Sequence, residues 1–270
     1  MDLVETIRGW QEDARAIDPI NGVDKTIEDV GRLKGRAFFP EGLGLQRPNR
    51  ASGDLDRPDI LVVGHYFGTR VYRDRIEKKH GGSEENQPTW RNLNSLLGEA
   101  LMDRCFMTNW FIGFGLKQIG QFLEVHTCDE GCSPSMAKCS IRRSIRGYEE
   151  QCRNLLIDQI RVLRPQTILL LGKEVIRRAH TIAPDESKLR CWSNITSPFF
   201  QGVDAIGPVA LNVDVVAASA QTNFVALIHP CQPQNHVWRG HPKKGEEWKK
   251  RQADGLKAEK AMIRQALRSP

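Results

Sequence analysis

The chain has 270 residues, with 39 Lys and Arg against 33 Asp and Glu, a formal net charge of +6. That length can bury a sizeable core, so one domain over residues 1–270 is expected. Seven cysteines, an odd number, argue against a secreted disulfide framework. The acidic start MDLVETIRGWQED lacks the basic flank and apolar run of a signal peptide. No apolar stretch approaches the roughly 18–20 residues that cross a bilayer. A soluble, cytoplasmic, monomeric protein is expected. Its basic excess suits either a polyanionic partner or an ordinary solvated surface.

Along the chain, Leu3, Ile7, Trp10 and Ala14 recur at helical spacing and predict a helix packed on the body, within an N-terminal helical extension of about 1–40. PEGLGLQRPNRASGDLDRP, residues 40–58, is rich in Gly, Pro and charge and reads as an irregular lead-in loop. Four short apolar runs follow, DILVVG (59–64), RCFMTN (104–109), QTILLLG (166–172) and NFVALI (223–228). Each suits a strand buried on both faces. Helical faces separate them: Leu93, Leu96, Leu97 and Ala100; then Cys152, Leu155, Leu156, Gln159 and Ile160; then Val175, Ile176 and Ala179. Strands alternating with helices predict an α/β fold built on a parallel sheet covered on both faces. VDVVAASAQTN, residues 213–223, is a candidate extra strand beside the last one. A basic helix is expected over about 245–268, where Trp248, Leu256, Ile263 and Leu267 keep helical spacing.

Every strand candidate ends in a polar, specific sequence. The first runs into GHYFGT, the second into Asn109 and Trp110, the third into LGKE and the last into IHPCQPQNHVWRG. Parallel strands bring these ends to one edge, where open α/β sheets place ligands, and this assembles His65, Asn109 and His229 as one candidate site. Gly64 and Gly68 would let the backbone approach a ligand closely and turn N–H groups inward.

The ordered set ILVVG, PTWRNL, FMTNW, LRPQTILLLGKE and IHP resembles the uracil-DNA glycosylase superfamily. The likeness spans roughly residues 57–175 and 223–240. It implies a three-layer α/β/α sandwich around a mainly four-stranded parallel sheet, and hydrolysis of the N-glycosidic bond of a flipped uracil. It also implies roles. Asn109 matches the Asn that reads the uracil edge, and its amide can accept from N3–H and donate to O4. His229 matches the histidine that donates to O2 as uracil leaves as an anion. Pro230 through Arg239 match a loop that enters the minor groove. The GHYFG stretch matches the first motif, with His65 where the family often has a carboxylate and Phe67 where it has Pro. A flipped base needs a stacking face, for which Tyr66, Phe67 and Trp90 are the available aromatics. Leu93 and Leu97 lie on the same helical face as Trp90 and favour an at least partly core role for it. Lys243, Lys244, Lys249 and Lys250 are candidates for phosphate contacts.

Because a neutral imidazole can orient water but cannot supply an anion, excision and binding without turnover both fit His65. A nucleotide or small-ligand protein on the same fold is a third reading. The chemistry itself requires no cofactor. A cysteine-containing insertion, about 113–141, holds Cys128, Cys132 and Cys139, and Cys152 lies beyond it. In one branch of the family a cysteine matching Cys152 ligates an iron–sulphur cluster. These four cysteines could hold such a cluster or zinc, or could form a reduced, metal-free loop.

Overall fold

The computed structural model describes residues 2–17, 38–46, 57–65, 78, 88–112, 134–182, 189, 206–210, 221–227 and 246–268. The apolar runs form the strands β1 (Ile60–Gly64), β2 (Cys105–Asn109), β3 (Thr167–Leu171) and β5 (Gln221–Leu227), with β4 (Ile206–Ala210) at one edge. The order is β2-β1-β3-β5-β4. The first four are mutually parallel, and β4 pairs antiparallel with β5. A strand beside the last one is therefore present at 206–210; of the expected segment 213–223, residues 213–220 fall outside the described residues and 221–223 belong to β5.

Strand side chains alternate between two cores, as the period of two requires. Leu61, Val63, Phe106, Ile168, Leu170 and Phe224 pack with residues of α1 (Leu3–Ala16), α4 (Pro134–Leu163) and α5 (Lys173–Arg178). Ile60, Val62, Met107, Leu169, Leu171 and Val225 pack with residues of α2 (Pro88–Leu97), α3 (Glu99–Met102) and α6 (Glu246–Ala266). Among the described residues, no helix is long and apolar enough to cross a membrane.

The predicted helical faces hold for Ile7, Trp10 and Ala14, for Cys152 through Ile160 including the buried Gln159, and for Val175, Ile176 and Ala179. Ala100 departs from its expected face and is exposed. The cause is Gly98, whose φ of 78° lies in the left-handed region open to glycine, and which ends α2 before α3 begins. Buried polar side chains tie the layers together. Trp10 Nε1 donates to Asp158 Oδ2 at 2.9 Å, linking α1 to α4. Asn223 Nδ2 donates to the Ala266 carbonyl at 2.8 Å, satisfying an orphan group at the end of α6.

Of the expected lead-in loop, 40–58, residues 40–46 and 57–58 are described; 40–46, with Phe38 and Phe39, are irregular but largely buried. Phe39 N donates to the Met107 carbonyl at 2.9 Å and Met107 N donates to the Gly44 carbonyl at 2.8 Å, so the segment clips the outer edge of β2. From α1, Gln11 Nε2 donates to the carbonyls of Pro40 and Gly42. Gly44 has φ 66°, and a Cβ there would stand 2.5 Å from the Met107 carbonyl oxygen. Only glycine fits both the turn and that approach.

Candidate functional site at the carboxyl edge of the sheet

The order β2-β1-β3 fixes where the sheet opens. From β1 the chain crosses to β2 on one side, and from β2 it crosses back beyond β1 to β3. The connections leaving β1 and β3 therefore diverge, which is the topological switch point where α/β sheets form a ligand crevice. Gly64 and His65 lie on one side of this point, and Gly172, which precedes α5, lies on the other.

Gly64 pairs in register with Asn109. Beyond the strands, Trp110 N donates to the Gly64 carbonyl at 2.8 Å and Phe111 N to the His65 carbonyl at 3.0 Å. This extension of the pairing holds His65 and Asn109 at neighbouring strand ends on one edge. Asn109 is buried at 8 % exposure, and its side chain folds over Gly64 so closely that a Cβ at 64 would overlap Oδ1. Glycine at 64 is therefore what lets the Asn109 amide lie there. That same imagined Cβ would touch Phe38 Cε1 at 3.5 Å.

Trp90 is 3 % exposed and belongs to the core beside Leu93 and Leu97, the role its helical spacing favoured over a stacking face. Phe38 meets it edge-on, with ring centroids 5.9 Å apart. Phe38 thus packs on Trp90 in the core, with its ring edge near the space above Gly64.

His65 is half-buried, and its ring meets Phe111 at 5.4 Å with an interplanar angle of 80°. Phe111 stacks on Tyr148 of α4 at 6.2 Å and 15°. The Arg178 guanidinium of α5 stands 5.2 Å from the Phe111 ring centroid. β5 ends at Leu227, whose partner is Leu171, so the chain reaches this same edge two residues before His229. His229, Pro230, Arg239, Tyr66, Phe67 and Gly68 lie outside the described residues, as do Lys243 and Lys244.

The cysteine expectation is narrowed. Cys128 and Cys132 lie outside the described residues, but Cys139 and Cys152 sit on the single 30-residue helix α4. Thirteen residues of α-helix separate them by roughly 20 Å along the axis, so one ion or cluster cannot take both. Cys152 is 1 % exposed in the core. Burial pushes its thiol up to about 12, although the Ile112 backbone and the Tyr148 hydroxyl pull the other way. It packs in the core beside Tyr148 and Leu156. Among the described residues, no group of three or more His, Cys, Asp or Glu side chains is placed to hold a metal ion.

Comparison with protein-family models finds no match to the chain. Comparison with curated proteins likewise finds none.

Proposed function

We propose that the chain is a DNA glycosylase that hydrolyses the N-glycosidic bond of a flipped uracil, working as a cytoplasmic monomer on uracil-containing DNA. The observation that carries this reading is the Asn109 amide folded over Gly64 beside the switch point. A planar amide at a strand end, with glycine beneath it, suits recognition of a base edge that needs one acceptor and one donor side by side. His65 at the adjacent strand end would orient water toward the sugar. His229 would donate to uracil O2 as negative charge develops there. Unstacking the base costs a few kcal/mol, which phosphate contacts from the basic surface would offset.

The decisive experiment is incubation with a single-stranded uracil-containing oligonucleotide, followed by alkali. Strand scission is expected. Tight retention without scission would favour a uracil-DNA binder, the reading supported by a histidine rather than a carboxylate at position 65. Neither scission nor retention would point to a small ligand.

The amide makes its own prediction. Asn109→Asp accepts from N3–H but cannot donate to O4, so discrimination for uracil falls by more than about 1 kcal/mol, the usual cost of one unpaired buried group. Competition between uracil-containing and unmodified oligonucleotides measures it. Unchanged selectivity in the variant would remove Asn109 from the site.

A further inference from the structure

We infer that Phe111 is a positioning residue for His65, held in turn by Tyr148 and Arg178. Two contacts from this one residue constrain His65. The Phe111 N–H holds the His65 carbonyl at 3.0 Å, which fixes the backbone. Its ring meets the imidazole at 80°, a T-shaped arrangement whose direction aromatic quadrupoles favour. Phe111 itself is fully buried and has no room to turn. Tyr148 lies parallel to it from α4, and the Arg178 guanidinium lies against the ring from α5, an attraction that strengthens where water is excluded.

Arg178 is pinned as well. Its Nη1 donates to the Glu174 carbonyl at 2.8 Å and to Glu174 Oε2 at 3.2 Å. Glu149 of α4 is 3.9 Å away on the other side. The imidazole is therefore braced from two helices that belong to different stretches of the chain. Its direction at the sheet edge depends on α4 and α5 keeping their places. Arg178 and Tyr148 act through Phe111, and none of the three needs to touch substrate.

This assignment gives His65 a use only if the glycosylase reading holds, so the test has one readout independent of activity. In protein labelled with ¹³C-histidine, with the His65 signals assigned through His65→Ala, Arg178→Met, which keeps the Phe111 ring and its ring current in place, is expected to move the His65 ring resonances while the other histidines stay in place. Phe111→Leu, which also removes that ring current, is expected to move the same resonances further. In cleavage, Phe111→Leu should lower kcat by about tenfold, within the cost of a misplaced group, with KM little changed. Unmoved His65 resonances in Arg178→Met would overturn the inference, as would a cleavage loss that lies wholly in KM. Shifted resonances in a protein that neither cleaves nor retains uracil-containing DNA would uphold the brace and reject the glycosylase reading.

Discussion

Replacing His229 with Ala is expected to slow uracil excision by a hundredfold or more while leaving affinity for uracil-containing DNA nearly unchanged. The base leaves as an anion, so a donor at O2 meets its full charge only late in the reaction, and its removal falls on the transition state rather than on the bound complex. One preorganised donor of this kind supplies about 3–4 kcal/mol in comparable oxyanion sites. The placement that motivates the experiment is the end of β5 at Leu227, in register with Leu171 and two residues before His229. His65→Ala should cost less, roughly tenfold to a hundredfold, the lower range for help from a general base. Single-turnover rates beside equilibrium binding separate the two effects. If His65→Ala abolishes cleavage and His229→Ala barely matters, the two roles are reversed. Full activity in both variants would move the site elsewhere.

The second large effect belongs to Gly64. In Gly64→Ala the new methyl group would overlap Asn109 Oδ1, while meeting Phe38 only at ordinary contact distance. The Asn109 amide must rotate away, so uracil recognition should fall at least as far as in Asn109→Asp. Overpacking of this kind also costs about 1–3 kcal/mol of stability, which urea unfolding reads directly. A double-mutant cycle identifies the cause. If the clash with Asn109 is responsible, Gly64→Ala made in an Asn109→Ala background should cost little stability. A penalty that is the same in both backgrounds would mean that Phe38 or the strand itself, not the amide, requires glycine.

The parallel strands were legible because β1, β2, β3 and β5 are buried on both faces and so write themselves as unbroken apolar runs. Their order predicted that His65 and Asn109 would share an edge, and the Gly64–Asn109 register places them there. β4 was harder to read. Its sequence IGPVA carries Gly and Pro, which local propensity rejects, while 213–223 nearby is richer in Val. An edge strand tolerates proline, and the irregular register between Ile206 and Val209 accommodates it. Segment 38–46 looked like a loop because its composition is that of one. What makes it structural is pairing with β2, more than sixty residues later in the chain, and no local pattern records that. Phe111, Tyr148 and Arg178 meet for the same kind of reason: strand end, helix and helix converge only once the sheet is assembled. Trp90 was legible as core, because its spacing with Leu93 and Leu97 put it on their buried face.

Helix α4 is far longer than the layer it covers. Its 30 residues amount to roughly 45 Å, whereas a five-residue strand such as β3 spans about 17 Å. The helix ends at Leu163, and β3 starts at Thr167, so α4 runs opposite to the strands and its surplus lies toward their carboxyl ends. Tyr148, stacked on Phe111 just past β2, marks the level of that edge. The fourteen residues from Pro134 to Gly147 therefore extend about 20 Å further along the helix axis. On the proposed reading, DNA would have to approach the strand ends from a side that this projecting half of the helix leaves open, while its other half is core.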